Sequence, residues 1–215
     1  MKIDAHVHFW NYDPVRDSWM EGMDVLHKNY LPEILLPTLT HSGINGCIAV
    51  QAAQSESETL FLKSLADAHP FMKGVVGWVD LFNENIEERL EYFSQFPVIK
   101  GFRHIAQAEP GGFLLQKNFI RGIKALAKYN YTFDVLISHH QLKEALNFIQ
   151  PLPEQRFIID HCAKPDIKNK NIDTWRKLMK EIATLPNAYC KLSGLLTETN
   201  WKQWKSEDFY PYLDV

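Results

Sequence analysis

The hydrophobic pattern alternates between two kinds of segment. Short runs rich in β-branched and aromatic residues recur at 1–8, 46–51, 74–80, 98–104, 131–137, 156–161 and 188–193, and each reads as a strand. The stretches between them place apolar residues at three- and four-residue steps: Leu60, Leu62, Leu65 and Ala66 within 56–69, Ile86, Leu90 and Phe93 within 83–96, and Ile120, Ile123, Leu126 and Ala127 before Tyr129. That spacing makes one face of a helix apolar. Strand followed by helix, repeated, requires crossover connections and therefore a parallel sheet.

A doubly wound open sheet and a closed (β/α)8 barrel both satisfy this order. The first would carry a Gly-rich phosphate-binding turn after strand one. Here strand one ends in His6-Val7-His8, and polar residues stand at the ends of most other strands, where barrel enzymes assemble their sites. The pattern favours an α/β TIM barrel with about seven β/α units, one short of closure. The last residues, Tyr210 to Val215, read as the start of an apolar helix with no Gly cap or polar turn to end it. No repeat, low-complexity tract or linker interrupts the pattern, so residues 1–215 read as a single domain. Residues 9–31, rich in Trp, Tyr and Asp, are too long for a simple connection and read as a structured active-site loop.

Composition narrows the function classes. Of 215 residues, 46% are hydrophobic, and 23 Lys and Arg against 26 Asp and Glu leave a net charge of −3 with the signs interspersed. A disordered or collagen-like chain is excluded, and nothing marks a nucleic-acid or membrane-surface partner. Cys47, Cys162 and Cys190 lack the close pairing of a zinc ribbon or redox motif and read as reduced thiols. The charged N-terminus and the absence of a long apolar run predict a cytoplasmic protein.

Four constellations carry candidate chemistry. His6 and His8 project to the same side of a strand, where two imidazoles can bind one divalent metal, most commonly zinc; ordinary hydrogen bonding near a strand end is the alternative. Arg103 and His104 place a cation beside an imidazole at a strand tip, suited to a carboxylate or carbonyl oxygen, or else a surface charge pair. Of the adjacent His139 and His140, alternation allows only one to face inward. In Asp160-His161-Cys162-Ala163-Lys164-Pro165, His161 follows an apolar strand directly as a candidate general acid or base, with Lys164 to neutralise charge. Gln51, Trp78 and Asp80 also fall at strand ends and would suit a polyhydroxylated small-molecule ligand. Ser193 lacks a nucleophile-elbow context, which disfavours a serine hydrolase.

These segments together resemble the amidohydrolase superfamily, in the amidohydrolase-related branch that contains sugar lactonases of the L-fuconolactonase and L-rhamnono-γ-lactonase type. The carriers are 3–10, 50–53, 76–81, 100–104, 140–142, 160–165 and 190–195, in order along essentially the whole chain. The resemblance implies a (β/α)8 barrel that opens a sugar lactone by water attack. His161, His140 and Arg103 would be catalytic, and His104, Gln51, Trp78, Asp80 and Lys164 would hold substrate. His6, His8, His140 and His161 would ligate zinc or another divalent ion in members that use one, since the branch includes metal-independent members. The family pattern continues past the position of Val215 to an eighth strand whose Asp serves as general base. That departure implies a barrel truncated after about seven units, or one closed by another chain, so that an oligomer is possible. Alternatives are a metal-dependent C–N hydrolase or decarboxylase of the same superfamily, or an inactive remnant that binds sugar acids.

Overall fold

The computed structural model describes residues 1–215, the side chain of Trp19 apart. Seven strands form: β1 Ile3–Val7, β2 Gly46–Val50, β3 Met72–Gly77, β4 Ile99–His104, β5 Thr132–Val135, β6 Phe157–Ile159 and β7 Ala188–Cys190. The helices are α1 Pro32–His41, α2 Glu56–Ala68, α3 Ile86–Ser94, α4 Lys117–Lys128, α5 Leu142–Ile149, α6 Asp173–Ala183 and the short α7 Tyr210–Leu213. Strand order in the seven-stranded sheet follows chain order, and the described pairings are parallel. All seven predicted strands are present. Those predicted at 74–80, 131–137, 156–161 and 188–193 end two or three residues early, because the ladder pairing stops before the apolar run does or where polar residues begin.

The chain forms two compact units, residues 1–79 with 95–100 and residues 80–94 with 101–215. In the first, Cys47, Ala49, Val50, Leu62 and Val75 make a fully buried core. Helix α2 begins at Ser55, whose hydroxyl accepts the Glu58 N–H at 3.1 Å. It is pinned to the end of β3 by Thr59, whose Oγ1 accepts from the Trp78 N–H at 2.7 Å and donates to the Trp78 carbonyl at 2.8 Å. Only Gly fits at 77, because a Cβ there would lie 2.4 Å from Thr59 Cγ2. Residues 9–31 are structured, as expected: Trp10 and Tyr30 exchange two backbone hydrogen bonds of 3.0 Å, and 3-10 turns lie at Ser18–Met20 and Asp24–Leu26.

The core of the second unit is aromatic. Phe102, Phe119, Phe133, Phe148 and Phe157 are fully buried and meet mostly edge-on, and each contributes about 2–3 kcal/mol by burial. Beneath the strand ends this unit therefore has a stiff apolar base. Among the described residues no helix is long and apolar enough to cross a membrane.

Candidate active site

In the first unit, β1 delivers the two histidines that strand alternation predicts. Their Nε2 atoms lie 3.1 Å apart, with the rings edge-on. His8 Nδ1 is 2.7 Å from the Val50 carbonyl at the end of β2. A carbonyl can only accept, so Nδ1 carries the proton, and neutral His8 keeps the lone pair on Nε2. This donor set fits a divalent ion. Two nitrogens about 2.0–2.1 Å from one tetrahedral zinc lie roughly 3.3 Å apart, and ligating histidines habitually donate their other N–H to a carbonyl or carboxylate. Asp4 accepts the His6 backbone N–H at 3.0 Å, which fixes the strand where the imidazoles leave it. Gln51 is fully buried next to the end of β2, and the partly buried Trp78 follows β3.

In the second unit the sites predicted on β4, β5 and β6 separate. Arg103, 4% exposed, donates from Nη1 to Asp160 Oδ2 at 3.1 Å. His104 does not stand beside it. Alternation turns its ring to the other face of β4, where it stacks on Phe113 at 4.8 Å and pairs with Glu109 Oε1 at 2.9 Å. The predicted cation–imidazole pair is thereby corrected, because successive strand residues point to opposite faces. His139 and His140 lie beyond β5 in a 3-10 turn, so strand alternation does not apply to them. His139 Nδ1 is bonded to the Lys164 carbonyl at 3.1 Å, whereas His140 is exposed. Asp80 is exposed too and accepts the Phe82 N–H at 3.0 Å, a local turn contact.

The segment after β6 is the least regular part of the chain. His161, Cys162, Ala163 and Lys164 have φ of 54°, 53°, 56° and 48°, four consecutive non-glycine residues in the left-handed region. Each costs roughly 1–2 kcal/mol, so the turn persists only where its surroundings impose it. Those surroundings are visible. The Cys162 N–H donates to the Lys191 carbonyl at 3.2 Å, Trp175 Nε1 of α6 donates to the Cys162 carbonyl at 2.7 Å, and the Lys164 N–H donates to the His161 carbonyl at 2.9 Å. His161 Nδ1 is 2.9 Å from Ser193 Oγ. Gly194, itself at φ +68°, lets the chain pass so close to the imidazole that a Cβ would lie 2.7 Å from His161 Cβ and Cγ. The three cysteines are free thiols, and Cys162 and Cys190 both direct their sulfurs to the Lys191 carbonyl, at 3.4 and 3.8 Å.

Below His161 lies an ion network that the sequence pattern did not reveal. Lys191 Nζ, just past β7, sits 2.5 Å from Asp134 Oδ2 on β5 and 2.9 Å from Asp160 Oδ1, while Arg103 holds the other Asp160 oxygen. Both carboxylates are fully buried. Burial first, then the charge of Asp160, pushes the Asp134 carboxyl up to about 6, with Lys191 and Arg103 pulling the other way. Two cations and two acids thus link the ends of β4, β5, β6 and β7. The only trace in the sequence is a charged residue interrupting an apolar strand run, as Asp134 does.

The family model described as amidohydrolase matches residues 3–215. An L-fucono-1,5-lactonase of Burkholderia multivorans is 35% identical over an alignment of 211 positions that covers 94% of this chain and 71% of that protein. An L-fucono-1,5-lactonase of Burkholderia ambifaria is 32% identical, covering 92% of this chain and 69% of its own. A crystal structure of a Burkholderia multivorans amidohydrolase with bound zinc superposes with a TM-score of 0.92 at 34% identity, over 97% of this chain and 75% of that one. The predicted barrel-type α/β fold agrees with these matches.

Proposed function

From the premise that this chain belongs to the amidohydrolase family, we propose that it is a hydrolase that opens a sugar-acid lactone by water attack on the ring carbonyl. The observation that carries this reading is the lactonase from Burkholderia multivorans, 35% identical over 94% of the chain. The local geometry around His161, Arg103 and the His6–His8 pair supports it.

Hydrolysis of a lactone needs polarisation of the carbonyl oxygen and a group that accepts the proton of the attacking water. His161 is suited to the second task. Its Nδ1 is bonded to Ser193 Oγ at 2.9 Å, and the four-residue left-handed turn fixes the direction of the ring. Arg103 and Lys164 are the cations assigned to the carbonyl oxygen and the emerging carboxylate. Arg103 is held in place by Asp160, and Lys164 closes the same turn as His161. His6 and His8 would hold a divalent ion, zinc by the chemistry of the pair, with His140 and His161 as the further ligands that the family pattern implies; in that metal-bound form His161 would serve as ligand in place of its role as base. Such an ion supplies Lewis-acid polarisation and eases ionisation of water. Gln51, Trp78 and Asp80 complete the proposed substrate contacts, whereas His104, turned to the other face of β4 against Phe113 and Glu109, is not among them.

The test is acid release from a panel of aldonolactones by the 215-residue chain, with and without added zinc, beside a His161→Ala variant. The expected result is turnover that falls at least a hundredfold in the variant. A chain that melts cooperatively yet opens none of the lactones, with or without metal, sinks the proposal.

A further inference from the structure

A second polar recess lies in the first unit, apart from the histidine pair. It is a cavity of about 160 Å³ whose walls include Trp10, Arg16, Asp17, Ala52 and Glu58. Trp10 stands three residues past β1 and Ala52 two residues past β2, at the strand ends where barrel enzymes bind substrate. At roughly 30 Å³ per water the volume equals about five waters, room for part of a sugar ring.

The walls specify what kind of group fits. Arg16 is bound in a fork by Asp17, Nε to Oδ1 at 2.8 Å and Nη2 to Oδ2 at 2.6 Å. Its charge is thereby answered within the wall. Glu58, 8% exposed, uses Oε1 to accept the Ala52 N–H at 3.1 Å, and burial raises its carboxyl above the usual range. One cation against two acids leaves no surplus positive charge, so the cavity does not favour an anion. Trp10 supplies a donor. Its indole is fixed by the paired backbone bonds to Tyr30 and by a tilted ring contact of 4.6 Å, and its Nε1–H is buried without a hydrogen-bond partner. A buried donor of this kind calls for an acceptor from water or a ligand. With Trp10 and Glu58 both in the wall, an indole N–H donor and a carboxyl acceptor around a cavity without net positive charge match an alcohol, which accepts from one and donates to the other.

We propose that this cavity is the subsite for the hydroxyl groups of a neutral sugar ring, with Trp10 Nε1 donating to one hydroxyl oxygen and Glu58 accepting from a hydroxyl. The inference rests on the lactonase reading and deepens it. A pocket that takes neutral hydroxyls and not the carboxylate made by ring opening would orient the lactone with its carbonyl away from Trp10. Trp10 and Glu58 then set which ring is accepted.

The experiment titrates the 215-residue chain with a 1,5-anhydroalditol, a neutral ring that cannot be hydrolysed, and with the matching aldonate, by calorimetry and tryptophan fluorescence. The neutral ring is expected to bind saturably and at least tenfold more tightly than the aldonate. Trp10→Phe keeps the aromatic packing, removes the donor, and is expected to weaken ring binding about tenfold with an unchanged melting curve. Glu58→Gln is expected to weaken it less than Glu58→Ala, since the amide oxygen still accepts. An anhydroalditol lacking one hydroxyl should bind the wild type and Trp10→Phe alike for the hydroxyl that Trp10 reads. No saturable binding of the neutral ring, or binding untouched by both Trp10→Phe and Glu58→Ala, overturns the subsite. Lactone turnover separates the two ideas: hydrolysis with unaltered ring preference in Trp10→Phe retains the lactonase reading alone, and binding without hydrolysis of any lactone retains the subsite alone.

Discussion

The ends of β1 and β6 both present imidazoles, and they do so by opposite means. At the end of β1, whose register shifts between Asp4 and Val7, His6 and His8 come out to one side, and a bond from His8 to Val50 sets the tautomer. After β6, four left-handed residues aim His161, and the aim depends on Trp175, Lys191, Ser193 and Gly194. The first arrangement follows from local geometry and costs little. The second stores strain of several kcal/mol and exists because neighbouring strands and α6 impose it. A site built the first way tolerates changes around it, whereas one built the second way is only as stable as its supports.

The largest expected effect breaks the support of the β6 turn. Lys191→Met would leave Asp134 and Asp160 buried without their shared cation and is expected to cost about 3–5 kcal/mol in chemical denaturation. Adding Asp134→Asn should restore part of that loss, and a loss below about 1 kcal/mol would show that the network does not hold the turn. Next in size is Gly194→Ala. It combines a positive φ with a Cβ 2.7 Å from His161, so a destabilisation of about 2 kcal/mol is expected together with a drop of tenfold or more in lactone turnover. Retained turnover would mean that His161 is free to reorient.

A pH measurement sharpens the same contrast. The Asp134 carboxyl, pushed up to about 6, binds its proton more tightly in the folded than in the unfolded chain. Its contribution to stability is therefore present below the ordinary carboxylate value near 4 and is lost as pH rises through about 6. The size is roughly 1–3 kcal/mol, given 1.36 kcal/mol per pKa unit. Melts of wild type and Asp134→Asn from pH 4 to 7 should diverge across that window, and parallel curves would rule the effect out. The smallest expected effect belongs to β1: His8→Gln removes one imidazole and its bond to Val50 and is expected to cost at most about 1 kcal/mol, while zinc affinity, read by chelator competition, falls at least tenfold. A loss in stability as large as that of Lys191→Met would erase the distinction between the two strand ends.

Much of this was legible in the residue pattern. The period-two run at 3–8 and the three- and four-residue steps at 56–69 are local signals, and β1 and α2 match them closely. The strand-end histidines were found for the same reason. Less legible was which of them face the same way. Strand rules do not apply to the adjacent pair 139–140, because the chain has already left β5, and a 3-10 turn places His139 on Lys164 and leaves His140 exposed. His104 is adjacent to Arg103 in sequence, yet adjacency on a strand separates side chains. Trp10 ends the segment 3–10, but its place in a cavity wall depends on Glu58 and on its bonds to Tyr30, far along the chain.

What the sequence determined by itself was the alternation of strands and helices, the polar residues at strand ends and the membership in a family of hydrolases. The alternation and the strand ends follow from periodicity, a property of neighbouring residues, and the family from the resemblance of seven segments in order. Only the tertiary structure decided that Asp134 and Lys191, 57 positions apart, are partners, that Arg103 and Asp160, also 57 apart, share their network, and that His161 stands on a left-handed turn. The physical reason is that charge pairing in a buried site and tolerance of backbone strain are set by which strands lie side by side. No window of sequence contains both halves of such a contact.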